Sequence, residues 1–306
     1  MATAQHGIFA QGTRSHFQLE LNRRPGADRA AIVDALRDVR ESPVTAGGIN
    51  VVLGFGPDLW RELAGADAAP ADLGPFTPID GAGGRAPATQ RDLWVWVHGT
   101  GEDIAFDTAR ALATVLAPVA ELALEQPCFV YKDSRDLTGF VDGTANPTSD
   151  EAHDVAIVPD GAPGAGGSHV LAARFVHDLG SFHALDLDAQ QCVIGRTKPD
   201  SVELPPEVMP PNAHVARVEI EDDEGEEVPI YRRSTPFGTI AEHGLYFLAF
   251  SAARSRFDQM LARMYGTAGD GVHDRLLDFT TMVTGSYFFA PSLDALDALD
   301  ALDDLG

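Results

Sequence analysis

The sequence predicts an α+β protein made of two related strand–helix units. Three observations carry that expectation. Strand and helix signals alternate in the order β-α-β-β-α-β through residue 126, a stretch rich in Pro, Gly and Asp follows, and a second strand–helix series begins after it.

His16–Asn22 opens the first series, with Phe17, Leu19 and Leu21 on one strand face. Asp28–Arg40 places Ile32, Leu36 and Val39 at helical spacing. Ile49–Phe55 is β-rich, and Gly56-Pro57-Asp58 starts a short helix carrying Trp60 and Leu63. A Gly/Pro-rich loop, Leu73–Ala88, leads to a strand at Asp92–His98 that is apolar on both faces. Asp103–Ala117 follows as a helix and Glu121–Gln126 as a closing strand. Apart from the short helix, this is the ferredoxin-like order. The expected boundaries are a first unit over 1–144, a linker or surface loop over 145–168, and a second unit over 169–292. The second unit reads as strands at Val170–Val176, His214–Ile220, Val228–Arg232 and Leu245–Phe250, with helices near Phe182–Gln191 and at Arg254–Met264. Residues 293–306 repeat Leu-Asp-Ala at period three, which drifts around a helix, so a solvated acidic tail is expected.

The chain has 306 residues and a formal net charge of −24. Such a charge repels phosphate backbones and argues against a nucleic-acid or anionic-membrane partner. Charged residues make up only 22% against 44% hydrophobic, so the acidity does not imply disorder. No apolar run approaches the ~18–20 residues of a membrane span. Met1–Ala10 lacks the pattern of a secretory signal, so a cytoplasmic protein is expected. Cys128 and Cys192 form no CxxC, which excludes covalent haem attachment through CxxCH. P-loop, dinucleotide, HExxH and GxSxG signatures are absent, and no two histidines stand at chelating spacing.

Gly139-Phe140-Val141-Asp142-Gly143-Thr144, followed by Asn146-Pro147, resembles the GxxDG signature of dye-decolourising haem peroxidases. Further segments of the same family pattern follow in order. They include Gly54-Phe55-Gly56-Pro57, Arg85–Asp92, Tyr131–Asp136, Phe175-Val176-His177-Asp178, Gly195-Arg196-Thr197-Lys198, His214–Arg217, Pro236-Phe237-Gly238 and Thr284–Ser292. GxxDG alone is weak, whereas an ordered set over nearly the whole chain is specific. The compact length resembles the bacterial B (or P) subgroup. The resemblance implies tandem ferredoxin-like units, two antiparallel sheets with packed helices, and one non-covalent haem b in the second unit.

The same resemblance implies residue roles. His214 would be the iron ligand, with His177 and His243 as rivals, and its other ring N–H would go to Asp274 or, failing that, Asp278. Asp142 would carry a proton between the peroxide oxygens. Arg232 would stabilise charge on the departing oxygen, with Arg233 as its neighbouring competitor, and Ser234 would hold a distal water or peroxide. Arg196 would meet a haem propionate, and Gly143 and Thr144 would lie beside the cofactor. Glu203 and Glu227 match acidic positions near the haem edge in relatives. Ala145 stands where a further acid is common, which puts a manganese-oxidising site in doubt. Trp94, Trp96, Tyr131, Tyr231 and Tyr246 are candidates for electron transfer. The implied activity is reduction of hydrogen peroxide coupled to oxidation of aromatic or dye-like reductants. The alternative is a haem-binding, storage or iron-release module with incidental peroxidase activity. A homo-oligomer is expected, and the family adds an encapsulin shell as a partner to consider.

Overall fold

The computed structural model describes residues 2–41, 48–221, 225 and 227–303. The first unit contains β1 (Ser15–Arg23), α1 (Arg29–Glu41), β2 (Asn50–Phe55), α2 (Pro57–Ala64), a hairpin of β3 (Ile79–Gly81) and β4 (Gly84–Ala86), β5 (Leu93–Gly99), α3 (Glu102–Leu116) and β6 (Ala120–Phe129). Then come α4 (Ser149–Ala156), β7 (Ser168–His177), α5 (Leu179–His183), α6 (Leu187–Ile194), α7 (His214–Val218), β8 (Tyr231–Arg232), β9 (Thr235–Gly238), β10 (His243–Ser251), α8 (Ser255–Met264) and β11 (Thr280–Ala290). The last described element is α9 (Leu293–Asp303).

Four strands of the first unit lie in the order β6-β1-β5-β2, and the second repeats the plan as β11-β7-β10 with β8 and β9 sharing the outer side of β10. Both are antiparallel, and both follow the ferredoxin-like order fourth-first-third-second. They join edge to edge through one residue pair, Phe289 with Phe55. Alternation along β1 explains the layers. Phe17, Leu19 and Leu21 pack with Ile32 and Leu36 of α1 and Leu112 of α3. Trp94 and Trp96 of β5 turn the other way and meet Tyr246 and Phe250 of β10 and Phe288 of β11. Burying each such Leu or Phe contributes about 1.5–3 kcal/mol. On the outer face of the second sheet, Phe257 and Leu261 of α8 cover Leu171, Ala173 and Ala249, and the remainder of that face borders a cavity.

Five local expectations change. His214–Val218 is a helix, because Arg217 N–H bonds the Ala213 carbonyl and the Arg217 side chain reaches the Arg263 carbonyl and Asp270, overriding the strand preference of its valines. The expected helix near Phe182–Gln191 divides into α5 and α6 where Asp186 caps the second. The 145–168 span holds α4, started by a capping box of Thr148 and Glu151, and buries Ala152, Val155 and Ala156 in the inter-sheet core. β11 lies where no strand was read. The acidic repeat folds as α9 and buries Leu296 and Leu299 against the α1 and α2 layer. A period of three drifts by about 60° per repeat, so three leucines still occupy one face of so short a helix. Residues 304–306 of the expected tail lie outside the described residues. Among the described residues no helix is long and apolar enough to cross a membrane.

Candidate functional site

A cavity with about 1540 Å³ of space between atoms, part of it open to solvent, lies on the outer face of the second sheet. Alternation builds its wall. Leu171, Ala173 and Phe175 of β7 and Leu245 and Phe247 of β10 face it, whereas Tyr246 between the last two faces the inter-sheet core. Segments 136–145, 214–220 and 227–232 complete the lining, so the end of the expected first unit contributes to a site in the second.

His214 begins α7 and lines the cavity. Its Nδ1–H donates to Asp274 Oδ2 at 2.6 Å, and Asp274, fully buried, also accepts from Leu276 N–H at 2.8 Å. Nε2 of His214 has no partner among the described residues. The rivals are placed differently. His177 lines the cavity with both ring nitrogens engaged, Nε2 with Asp136 at 3.0 Å and Nδ1 with Thr280 at 2.7 Å. Its partner is thus Asp136, and the adjacent Asp178 caps α5. His243 lies outside the lining and contacts the Thr239 carbonyl, and Asp278 bonds His273.

Asp142 sits on a loop fixed from several sides. Its N–H bonds the Ser134 carbonyl at 3.0 Å, and the Arg135 guanidinium donates to the carbonyls of Gly139, Lys198 and Pro199. Gly139 has φ +91°, and a Cβ there would lie 2.7 Å from Lys198 Cε. Gly143, at φ +85°, also occupies the left-handed region. Burial raises the Asp142 carboxyl above its usual range; Arg232 opposes the rise and the charge of Asp136 adds to it. Burial would raise Asp136 as well, but hydrogen bonds from His177 and Thr138 hold it below the usual range. The two nearby carboxyls are thereby pushed apart.

Arg232 lines the cavity, and its guanidinium has no hydrogen-bond partner among the described residues. Arg233 turns to the opposite side, donating to the Ile8 and Ala10 carbonyls and lying 5.1 Å from the Trp96 ring centre. Ser234 does not line the main cavity itself. It lines a neighbouring polar pocket that shares Asp142, Gly143 and Arg232 with the cavity, and its Oγ accepts from Leu248 N–H at 3.2 Å. Accepting this one bond leaves the Ser234 hydroxyl a donor and a second lone pair.

Arg196 lines the cavity, and its guanidinium pairs with Glu203 at 3.0 Å and Glu219 at 3.5 Å. Glu227 is also in the wall, and Thr144 bonds Ser201 at 2.8 Å. Burial and the neighbouring Glu203 raise Glu219. Sequence reasoning missed Glu219, Asp136, Thr280 and Arg256, all cavity residues. Arg256 bonds the carbonyls of Val155 and Pro229, and nothing in an ordinary amphipathic helix pattern marks it. Trp94, Trp96, Tyr231 and Tyr246 are buried in the inter-sheet core, and Tyr131 borders the polar pocket. Among the described residues no group of three or more His, Cys, Asp or Glu is placed to hold a bare metal ion.

Comparison with known proteins gives a consistent result. The model of the Dyp-type peroxidase N-terminal domain matches residues 15–129, and that of the C-terminal domain matches residues 133–295. The dye-decolorizing peroxidase of Rhodococcus erythropolis is 39% identical over 254 residues, covering 82% of this chain and 74% of that protein. A variant of Rhodococcus jostii DypB in complex with heme superposes with a TM-score of 0.91 at 35% identity, over 97% of this chain and 99% of that one. The encapsulated DyP-type peroxidase of Mycobacterium smegmatis gives a TM-score of 0.89 at 35% identity, over 97% and 98%.

Proposed function

The chain belongs to the Dyp-type peroxidase family, and we propose that the wall carrying Asp142 and Arg232 is where hydrogen peroxide is cleaved. The protein is a dye-decolourising haem peroxidase that reduces hydrogen peroxide and oxidises aromatic or dye-like reductants. Haem b, held without a covalent bond, would supply the redox-active iron and the electrons for peroxide cleavage. The residues present fit such a group. The wall is largely apolar, and His214 is the cavity imidazole with an open nitrogen among the described residues. That open Nε2, fixed by the 2.6 Å bond from Nδ1–H to Asp274, is the observation that carries the reading.

His214 would ligate the iron and Asp274 would hold the ring in place. Arg196 and Arg256 would face the propionates, with Gly143 and Thr144 at the cofactor's edge. The Asp142 carboxylate takes a proton from one peroxide oxygen and delivers it to the other. The Arg232 guanidinium, without an acceptor among the described residues, stabilises negative charge on the departing oxygen. Glu203 and Glu227 stay near the cofactor edge in this reading, without a manganese site. We place the protein in the cytoplasm as a homo-oligomer. The likeness to the encapsulated relative supports an encapsulin shell as partner.

The test is Asp142→Asn in haem-loaded protein, followed by rapid-mixing absorbance after peroxide. The reaction is expected to slow by about 10²-fold or more with the resting spectrum unchanged. Unchanged peroxide reactivity would overturn the proton-carrier role.

A further inference from the structure

Asp142 and Arg232 come from segments 90 residues apart, yet they line one wall. The link between them is Asn146. Its Oδ1 accepts from Arg232 N–H at 2.9 Å, and its Nδ2–H donates to the Arg232 carbonyl at 2.8 Å. β8 is two residues long and forms the outer edge of the second sheet, where backbone groups lack a neighbouring strand. One side-chain amide therefore supplies what that strand would have offered. Asn146 N–H also bonds the Gly143 carbonyl at 3.0 Å, closing the turn that follows Asp142. Pro147 and the capping box of α4 anchor the far side of this turn.

We propose that Asn146 is a positioning residue for the peroxide reaction, its amide tying the Asp142 loop to the Arg232 strand and so fixing the spacing of carboxylate and guanidinium. The inference rests on the reading of Asp142 and Arg232 given above. Asn suits the task because one short side chain carries both a donor and an acceptor. Asp lacks the donor, and Ala leaves both backbone groups of Arg232 unpaired.

The test compares Asn146→Ala in the wild-type and Arg232→Leu backgrounds, in haem-loaded protein. Two readouts are needed: the rate with peroxide, and the affinity for fluoride, an iron ligand that responds to a nearby hydrogen-bond donor without turnover. Asn146→Ala is expected to slow the peroxide reaction about tenfold and to weaken fluoride binding, with haem content and the KM for reductant unchanged. In the Arg232→Leu background it should cause no further loss. An undiminished tenfold loss in that background, or unchanged fluoride affinity, overturns the proposal. If Asn146→Ala does not fold, Asn146→Asp keeps the shape but sets a charged acceptor against the Arg232 carbonyl in place of the donor, and it is held to the same two outcomes. Should Arg232→Leu alone leave the peroxide rate intact, the parent reading fails instead, which is a distinct result.

Discussion

The two units share a strand order and differ in what they do with the second strand and the outer face. In the first, β2 is an unbroken strand of six residues, and the helices over the sheet close a continuous apolar core. In the second, the equivalent strand is split into β8 and β9, the helices bordering its outer face are mostly short, and a cavity remains where a core would be. Arg232 ends one fragment and Thr235 begins the other. Interrupting an edge strand frees its side chains and backbone for a site while the inner strands keep the sheet intact. The proposed site thus occupies an incompletely filled copy of a plan that the first unit fills.

That comparison is sharpened most by His214→Ala. It should weaken haem retention by at least about a hundredfold, seen as loss of the Soret band after gel filtration. His98→Ala in the filled unit, where both ring nitrogens are already engaged, should leave the spectrum unchanged. Neighbouring arginines provide the next contrast. Arg232→Leu is expected to slow the peroxide reaction about 10²–10³-fold with haem bound. Arg233→Leu should mainly lower the melting temperature, because its bonds go to the Ile8 and Ala10 carbonyls. Equal kinetic losses from the two would erase the distinction between cavity and core side.

A pH profile follows from Asp142. In the proposed role its base form acts, and its carboxyl is raised, so peroxide reactivity should fall as pH drops through that raised value. The acid limb should therefore lie above the ~3.9 of an unperturbed aspartate. A limb below it would contradict the raised carboxyl. In the filled unit, Leu296→Asp should lower the melting temperature by roughly 5 °C or more and spare the peroxide rate, as measured by calorimetry and rapid mixing.

The smallest effect concerns Glu20, buried between the sheets, which accepts from the Tyr246 hydroxyl at 2.8 Å. Burial pushes it up from 4.5 to about 7. Between those values the folded protein holds a proton that the unfolded chain has released. Its contribution to stability therefore falls as pH rises through the window and levels off above it. Glu20→Gln should raise the melting temperature by about 2–4 °C at pH 8 and have little effect at about pH 4. An equal shift at both pH values would count against titration.

Much of the filled unit was legible because its strands and helices are long and periodic: Phe17, Leu19 and Leu21 alternate, and Ile32 and Leu36 recur at helical spacing. The cavity unit was less so. His214-Val215-Ala216-Arg217-Val218 reads locally as a strand and becomes helical through the Ala213 cap and contacts with residues some 50 positions away. The site was legible by resemblance more than by pattern, since His214 and Asp274 lie 60 positions apart and no local periodicity joins them. Glu219 and Arg256 were missed because a charge in a loop or on a helix looks the same whether it faces solvent or a cavity.

The position of β11 bears on how the protein is made. The first unit has all four of its main strands by residue 129, so it can close while synthesis continues. β11 is made well after the first unit, yet it sits between β7 and β2 and brings Thr280 against His177 in the cavity wall. Asp274 lies just before it. On the reading proposed above, His214 and Asp274 meet only after the segment just before β11 has been made, so haem capture would follow synthesis of that segment.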